Sequence, residues 1–232
     1  MEVIVLAGGF GTRLRHVVSD VPKPMAPVCN RPFLEYIVKY LKKYHVTKII
    51  FAIGYKGDQI RSFFKCHFDG IIIDYSNEDT PLLTGGAIKK ALSKCIEQNV
   101  VVMNGDTFFN VDLGEMLAFH HQVNSDITIA TKKMSASSRY GSVTLKENRI
   151  IRFEEKQYRD QLLINGGIYI MRRNILENFE KEKFSFELDF LKKELHTLNI
   201  MSYQSDGYFV DIGIPEDYHQ ANIDFKNEVI YE

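Results

Sequence analysis

The fold is decided by residues 3–14, which read Val3-Ile4-Val5-Leu6-Ala7-Gly8-Gly9-Phe10-Gly11-Thr12-Arg13-Leu14. The short apolar run predicts a strand, and a glycine-rich turn that ends in an arginine follows it. Glycine lets backbone N–H groups approach phosphate oxygens closely, because it has no Cβ atom. Arg13, and Lys23 in the segment Pro22-Lys23-Pro24-Met25, add positive charge where a polyphosphate would lie. The pattern therefore predicts a loop that binds the phosphates of a nucleotide.

Two familiar glycine loops do not match this stretch. A Walker A loop ends in Gly-Lys-Ser/Thr, whereas Gly11 is followed by Thr12 and Arg13. A dinucleotide-binding loop needs a third small residue where helix and strand pack, and Leu14 stands there if the count starts from Gly9. A tight glycine-rich turn with no ligand is the structural alternative, and the cations at 13 and 23 argue against it.

Composition excludes several classes of protein. The 232 residues are 45% hydrophobic and 25% charged, as expected for a globular chain with one large α/β domain. A net charge of -1 gives no electrostatic footprint for nucleic acid or for an anionic membrane. Cys29, Cys66 and Cys95 lack zinc-ligand spacing and are interpreted as reduced thiols. With no signal peptide and no membrane-spanning run, we expect a cytoplasmic protein.

Strand-like and helix-like stretches alternate along the chain. This alternation predicts a Rossmann-like, three-layer α/β/α fold around a mostly parallel mixed sheet, with a smaller sublobe for a second substrate. The predicted strands span 3–6, 48–53, 71–75, 99–103, 126–131, 142–146, 150–154 and 163–171, with a hairpin at 147–149. The predicted helices begin near Pro32, span 58–64 and 85–95, and begin again at Pro215.

Two aspartates follow apolar strands. Asp106 comes after strand 99–103 and Gly105, and Asp211 comes after Tyr208-Phe209-Val210. A carboxylate at the end of an apolar strand is costly unless it meets a cation or polar donors. Either residue alone is explained as a turn aspartate. Beside a phosphate loop, the pair instead predicts a Mg²⁺ site, since Mg²⁺ is commonly held by one or two carboxylates and substrate phosphates.

Three further segments are candidates for substrate contacts. Asn165-Gly166-Gly167 places glycines inside an apolar strand, which indicates a bulge or a close approach by a ligand. Thr84-Gly85-Gly86 would let a flat base lie against the backbone, or would be an ordinary helix start capped by Thr84. Glu155-Lys156 lies in a charge run that is most simply a solvated surface. His120 and His121 would point to different helix faces, so we interpret them as surface or packing residues.

These segments, in this order, resemble the sugar-1-phosphate nucleotidyltransferase family, the nucleotidyl-diphosphosugar pyrophosphorylases. The resemblance runs from Leu6 to Tyr218 and includes the loop L-A-G-G-x-G-T-R-L. It implies one nucleotidyltransferase domain over 1–232, with a nucleotide-binding part of about 1–125 and a sugar-phosphate-binding part of about 126–232. Segments 20–27, 30–36, 105–109 and 207–213 look most like members that transfer GMP from GTP to D-glycero-D-manno-heptose 1-phosphate.

The resemblance also implies roles for individual residues. It implies that Arg13, Lys23 and Asp106 are catalytic and that Asp106 and Asp211 hold Mg²⁺. The nucleotide would be bound by Leu6, Ala7, Gly8, Gly9, Gly11, Thr12, Arg13, Lys23, Thr84, Gly85 and Gly86. The sugar phosphate would be bound by Gly141, Glu155, Lys156, Asn165 and Gly166.

The implied product is a nucleotide-activated sugar for surface polysaccharide such as capsule or lipopolysaccharide. The implied partners are small molecules, with no nucleic acid or membrane, and with homo-oligomer formation left open. Departures from the family pattern occur at 83–86, at Thr107 in place of Asn and at Gln157 in place of Pro. The C-terminal β-helix of bifunctional members has no counterpart, so we expect neither acyltransferase activity nor that allosteric domain.

Several alternatives remain open from the sequence. One is the same reaction with another pair of substrates, such as a mannose-1-phosphate guanylyltransferase or a uridylyl-, thymidylyl- or cytidylyltransferase. A metal-dependent glycosyltransferase usually carries Asp-x-Asp, which Asp106-Thr107-Phe108 does not supply. A non-catalytic regulator that binds nucleotide sugars should have lost some of the charged candidate site residues. An NAD-dependent oxidoreductase is disfavoured because Leu14 does not fit the dinucleotide-binding loop.

Overall fold

The structure, a computed structural model, describes residues 1–14, 16–137, 140–154 and 159–227. Its strands are β1 (Glu2–Ala7), β2 (Pro27–Val28), β3 (Arg31–Pro32), β4 (Lys48–Ile53), β5 (His67–Phe68), β6 (Ile71–Asn77), β7 (Asn99–Asn104), β8 (Thr107–Phe109), β9 (Ile127–Ser137), β10 (Ser142–Lys146), β11 (Arg149–Glu154), β12 (Arg159–Arg172), β13 (Ile200–Gln204) and β14 (Phe209–Asp211). Its α-helices are α1 (Phe33–Lys42), α2 (Gly57–Phe64), α3 (Leu83–Leu92), α4 (Leu113–Gln122), α5 (Lys192–Glu194) and α6 (Pro215–Lys226). Short 3₁₀ turns at Thr12–Leu14 and Lys23–Met25 and a π-helical turn at Phe186–Leu191 complete the elements of this part of the chain.

Within these residues, ten strands form one sheet in the order β10-β11-β13-β9-β12-β7-β1-β4-β6-β5. Strands β7, β1, β4 and β6 are parallel, and β12 joins them antiparallel to both β7 and β9. The parallel strands therefore all present their carboxyl ends at one edge, where ligands of open α/β sheets bind.

Apolar residues alternate between the two faces of the parallel strands. On β1, Val3 and Val5 belong to a core that also contains apolar residues of α1, α2, α4 and α6, whereas Ile4 faces a second core with α3 and the π-helical turn. Each fully buried Ile or Val side chain contributes about 1.5–3 kcal/mol to folding. Helices thus cover both faces of the sheet, which confirms the predicted three-layer α/β fold with a mostly parallel mixed sheet.

The predicted strands all form, with shifts at their ends. Strand 48–53 is confirmed residue for residue, while β12 extends well beyond the predicted 163–171. Helix α3 begins at Leu83 rather than at 85 and ends at Leu92 rather than at 95. Helix α4 and strand β13 were not predicted, although Asp112 caps α4 by accepting a hydrogen bond from the Glu115 amide.

The two adjacent histidines lie on α4 and face different surroundings, as the sequence predicts. His120 is buried and its Nδ1 lies 2.9 Å from the Thr128 hydroxyl, whereas His121 is exposed. In the described ranges, no helix combines the length and the apolar character that crossing a membrane requires.

Candidate active site

The glycine loop follows β1 at the carboxyl edge of the sheet. Gly11 has a φ of +59°, and a Cβ there would lie 2.8 Å from the Cβ of Lys23. A Cβ on Gly8 would lie 2.4 Å from Oε1 of Glu78, so the segment after β6 packs directly on the loop. Leu14 is fully buried and its amide donates to the Gly11 carbonyl. Gly8 and Gly11 are thus required by close neighbours, and Leu14 anchors the end of the loop.

The loop borders a small cavity of about 180 Å³. The residues that line it are Leu6, Ala7, Gly9, Gly11, Thr12, Arg13, Lys23, Pro24, Asp106 and Gly213. The structure therefore brings the loop residues predicted to bind the nucleotide together with Lys23 and with one of the two predicted metal ligands. Gly8 is placed beside them, against Glu78.

Backbone pairing places Asp106 and Asp211 side by side. The Gly105 amide donates to the Leu6 carbonyl, which fixes the end of β7 against β1. Strands β8 and β14 then pair antiparallel, with Asp211 opposite Thr107, and the Ile212 amide donates to the carbonyl of Asp106. Two aspartates far apart in the sequence thus meet at the carboxyl edge of the sheet.

Lys23 lies between the two carboxylates. Its Nζ is 2.5 Å from Oδ2 of Asp106 and 3.2 Å from Oδ1 of Asp211, and its side chain is only 9% exposed. Burial raises the pKa of the Asp211 carboxyl, the charge of Asp106 raises it further, and Lys23 opposes both effects. The two acids would repel each other without a cation, so the geometry requires positive charge at this point.

The donor set fits a hard divalent cation. The carboxylate oxygens of Asp106 and Asp211 converge on one point, which the Lys23 ammonium now fills. Among the described residues there is no cluster of three or more His, Cys, Asp or Glu side chains that would form a closed metal site. Two carboxylates with further positions left to substrate phosphates and water match the way proteins usually hold Mg²⁺.

A larger cavity of about 560 Å³ lies next to the small one. It is lined by Arg13, Asn104, Tyr140, Gly141, Ser142, Phe153, Glu154, Asn165, Gly167, Tyr169, Ser185, Glu187, Leu188, Lys192 and Asp211. Arg13 borders both cavities, and the carboxylate pair contributes one member to each. The two spaces therefore meet at Arg13 and the paired aspartates.

The structure separates the predicted sugar-phosphate residues into three groups. Gly141 and Asn165 line the larger cavity. Gly166 does not line it: a Cβ there would lie 2.5 Å from the ring of Phe109, so this glycine is required by packing. Glu155 and Lys156 lie outside the described residues.

Residues 84–86 are packed against segment 182–187 and line neither of the two cavities. A Cβ on Gly85 would lie 2.2 Å from the ring of Phe184, and one on Gly86 would lie 2.1 Å from the carbonyl oxygen of Glu182. These glycines admit segment 182–187 rather than opening a wall of a cavity.

Thr84 also differs from its alternative interpretation as a helix cap. Helix α3 begins at Leu83, and no side chain caps its first turn. The Thr84 hydroxyl instead donates to Oε2 of Glu187 and accepts from the Phe186 amide. Thr84 therefore joins α3 to the π-helical turn.

Two acidic residues of the site were missed from the sequence. Glu78 follows β6, its Oε1 borders the glycine loop, and its Oε2 accepts from the Leu82 amide at 3.0 Å. Burial raises the pKa of the Glu78 carboxyl, while the Leu82 amide and the charge of Lys90 lower it. Its position after an apolar strand is the same signal that singled out Asp106. Glu187 carries no such signal, because its neighbours come from distant segments.

Comparison with known proteins gives one consistent result. A family model described as nucleotidyl transferase matches residues 2–228. The chain is 48% identical over 230 residues to the D-glycero-alpha-D-manno-heptose 1-phosphate guanylyltransferase of Aneurinibacillus thermoaerophilus, which covers 99% of this chain and 100% of the relative. It is 46% identical over 222 residues to the protein of the same name from Campylobacter jejuni subsp. jejuni, covering 94% of this chain and 97% of the relative.

A solved structure has the same fold. The crystal structure of HddC from Yersinia pseudotuberculosis complexed with GMP-PN superposes with a TM-score of 0.87 at 37% identity. The match covers 97% of this chain and 99% of that chain.

Proposed function

The chain belongs to the nucleotidyl transferase family, and from that premise we propose that it transfers GMP from GTP to D-glycero-D-manno-heptose 1-phosphate. The products are pyrophosphate and a GDP-heptose, a nucleotide-activated sugar for surface polysaccharide. The two relatives that share nearly half of their residues with this chain are both named for heptose 1-phosphate guanylyltransferase activity, with an alpha-configured sugar. Their names supply the base and the sugar of the proposal.

The observation that carries the reaction type is the convergence of Lys23, Asp106 and Asp211 where two cavities meet. The small cavity, walled by the glycine loop, takes the triphosphate. The larger one takes the sugar phosphate. Reacting groups held on either side of one charged centre are positioned for in-line transfer.

The reaction needs no nucleophile from the protein. An oxygen of the sugar phosphate attacks the α-phosphorus, a new P–O bond forms, and the bond between the α- and β-phosphates breaks to release pyrophosphate. When bound at Asp106 and Asp211, Mg²⁺ would neutralise phosphate charge. Arg13, at the border of both cavities, stabilises the leaving diphosphate, and Lys23 supplies positive charge near the α-phosphate. Catalysis thus consists of positioning and charge neutralisation.

Glu78 supports guanine as the base. Its Oε1 borders the glycine loop at Gly8. A carboxylate accepts hydrogen bonds from both the N1–H and the exocyclic amine of guanine. Adenine presents an acceptor at N1, so it would leave the acid unpaired and be rejected.

Residues from the second half of the chain support binding of the sugar phosphate in the larger cavity. Gly141 and Asn165 line the larger cavity, and we assign Glu155 and Lys156 to the same substrate, with Lys156 on its phosphate. This division makes about 1–125 the nucleotide-binding part and about 126–232 the sugar-phosphate-binding part of one domain. Its partners are then small molecules, and a cytoplasmic location would give it access to both.

Pyrophosphate release tests the proposal directly. The assay pairs GTP, ATP, UTP, dTTP and CTP with the 1-phosphates of D-glycero-D-manno-heptose, mannose and glucose. We expect GTP with the heptose phosphate to give the highest kcat/KM. Faster turnover with UTP or dTTP would overturn the base, and faster turnover of mannose 1-phosphate would overturn the sugar. Release of a nucleoside diphosphate instead of pyrophosphate would indicate a glycosyltransferase.

A further inference from the structure

Glu187 accepts hydrogen bonds from three hydroxyl groups, two of which lie in other segments of the chain. Its Oε1 accepts from the Tyr169 hydroxyl of β12 at 3.0 Å. Its Oε2 accepts from the Thr84 hydroxyl of α3 at 3.0 Å and from the Ser185 hydroxyl at 3.2 Å. One carboxylate on the wall of the larger cavity therefore ties α3, β12 and the π-helical turn together.

The bond to Glu187 determines the direction of the next hydrogen bond. The Tyr169 hydroxyl has a single proton, which it donates to Glu187, so its oxygen accepts from Nδ2 of Asn165 at 2.8 Å. The Asn165 Oδ1 in turn accepts from the Gly167 amide at 3.0 Å. The amide of Asn165, which faces the proposed sugar site, is thereby held in one orientation.

Burial makes this chain of hydrogen bonds costly to break. The Tyr169 side chain is 1% exposed, so its hydroxyl has no water to replace a lost acceptor. Burial and the charge of Glu187 raise the pKa of Tyr169 well above its ordinary value, which keeps the phenol protonated as a donor. Within the described ranges, no Lys or Arg forms an ion pair with Glu187, and the three hydrogen bonds to it there all come from hydroxyl groups.

We propose that Glu187 is a positioning residue for the sugar phosphate, acting through Tyr169 on the amide of Asn165. The inference rests on the proposed function, because it takes Asn165 as a sugar-phosphate contact. It adds a specific chain of action, Glu187 to Tyr169 to Asn165, in which the acid orients the contact without touching the substrate. Its link to Thr84 fixes the acid relative to the nucleotide-side helix α3.

The test compares Glu187→Ala, Glu187→Gln, Tyr169→Phe and the double variant Tyr169→Phe/Glu187→Ala. KM is measured separately for the sugar phosphate and the nucleotide, using whichever substrate pair the unmodified enzyme prefers. The result therefore does not depend on whether the heptose and guanine assignments hold. Glu182→Ala is the matched control, because Glu182 lies in the same segment but is exposed and pairs with Lys89.

We expect Glu187→Ala and Tyr169→Phe each to raise KM for the sugar phosphate about tenfold, with KM for the nucleotide changed less than about twofold. The double variant should be no worse than either single one, because both remove the same chain. Glu187→Gln should retain most of the wild-type KM, since its amide oxygen still accepts from Tyr169. Glu182→Ala should behave as wild type.

Three results would overturn the proposal. Additive effects in the double variant would mean that Glu187 acts independently of Tyr169. Equal damage to both KM values would indicate a general structural role. Damage by Glu187→Gln as large as by Glu187→Ala would indicate that the charge itself contacts the substrate. Tyr169→Phe and Glu187→Gln preserve volume, so they keep the test decisive if Glu187→Ala fails to fold.

Discussion

The ammonium group of Lys23 lies 2.5 Å from Oδ2 of Asp106, inside hydrogen-bonding distance and at the point on which Asp211 also converges. The lysine ammonium and a divalent ion held by the same two oxygens cannot both occupy that point. Binding of a metal at that point therefore requires the Lys23 ammonium to move. This relationship makes the lysine and the metal alternatives at one position.

Lys23→Met should make the protein more dependent on the metal for stability. The variant keeps the buried aliphatic stem but leaves Asp106 and Asp211 without a counter-charge, at a cost of about 1–3 kcal/mol. We expect the increase in Tm on adding Mg²⁺ to be larger for the variant than for wild type. Differential scanning fluorimetry across Mg²⁺ concentrations measures it, and an identical shift in both proteins would contradict a shared position.

Asp106→Asn and Asp211→Asn should each lower kcat by about a hundredfold or more while the fold remains intact. Loss of one carboxylate weakens the metal and leaves phosphate charge unbalanced. Pyrophosphate release at limiting Mg²⁺ measures the effect, and circular dichroism checks the fold. The exposed Asp58 provides the control Asp58→Asn. Near-wild-type turnover of either site variant would show that the substituted residue is not a metal ligand.

Arg13→Ala and Lys156→Ala should affect opposite substrates. Arg13 lies in the glycine loop and borders the small cavity, so its loss should raise KM mainly for the nucleotide. Lys156 belongs to the proposed sugar-phosphate part, so its loss should raise KM mainly for the sugar phosphate. Loss of a charge-assisted phosphate contact corresponds to about tenfold or more. Initial rates with one substrate varied at a time measure both, and equal effects on both substrates would refute the division of the chain.

Glu78→Gln should weaken selection for guanine. The amide retains one acceptor but loses the charge that favours two guanine donors, so kcat/KM for GTP should fall about tenfold while ATP changes little. Since burial raises the Glu78 pKa above its ordinary 4.5, GTP binding should also strengthen as pH rises through that raised value. Asp79→Asn, at the exposed neighbouring residue, is the control. An unchanged ratio of GTP to ATP turnover would place the base elsewhere.

His120 should make the folded state less stable in mild acid. Burial lowers its pKa from 6.5 to about 4, so the unfolded chain binds the proton more readily than the folded one. Stability is then full above pH 6.5 and falls as pH drops toward 4, by about 2 kcal/mol at pH 5. Urea unfolding at pH 7 and pH 5 measures the fall. His120→Gln should flatten this dependence and His121→Gln should not, whatever each does to absolute stability.

The sequence predicts the elements whose signals are local. The apolar run before Gly8, the strand at 48–53 and the proline before α1 each carry their own pattern, and each element forms close to its predicted place. Asp106 and Asp211 were also identified locally, from their positions after apolar strands. Their meeting at Lys23 was not, because it depends on the pairing of β8 with β14.

The glycines at 85, 86 and 166 all pack against neighbours that sequence patterns do not reveal. Gly85 and Gly86 admit Phe184 and Glu182, while Gly166 admits Phe109 and lies where the register of β12 against β9 shifts, as the predicted bulge requires. The space beside a glycine can be filled by a ligand or by another part of the protein, and only the tertiary structure shows which of the two fills it. Glu187 was missed for the converse reason, since two of its three hydroxyl partners, Thr84 and Tyr169, lie on segments that sequence patterns do not connect to it.

The pairing of β8 with β14 has a consequence for biosynthesis. Asp106 emerges from the ribosome long before Asp211, and only the pairing of Thr107–Phe109 with Phe209–Asp211 unites them. A nascent chain can therefore assemble the glycine loop and the parallel strands while Asp106 and Asp211 are still apart. The carboxylate pair therefore forms only after β14 has been synthesised and has docked against β8.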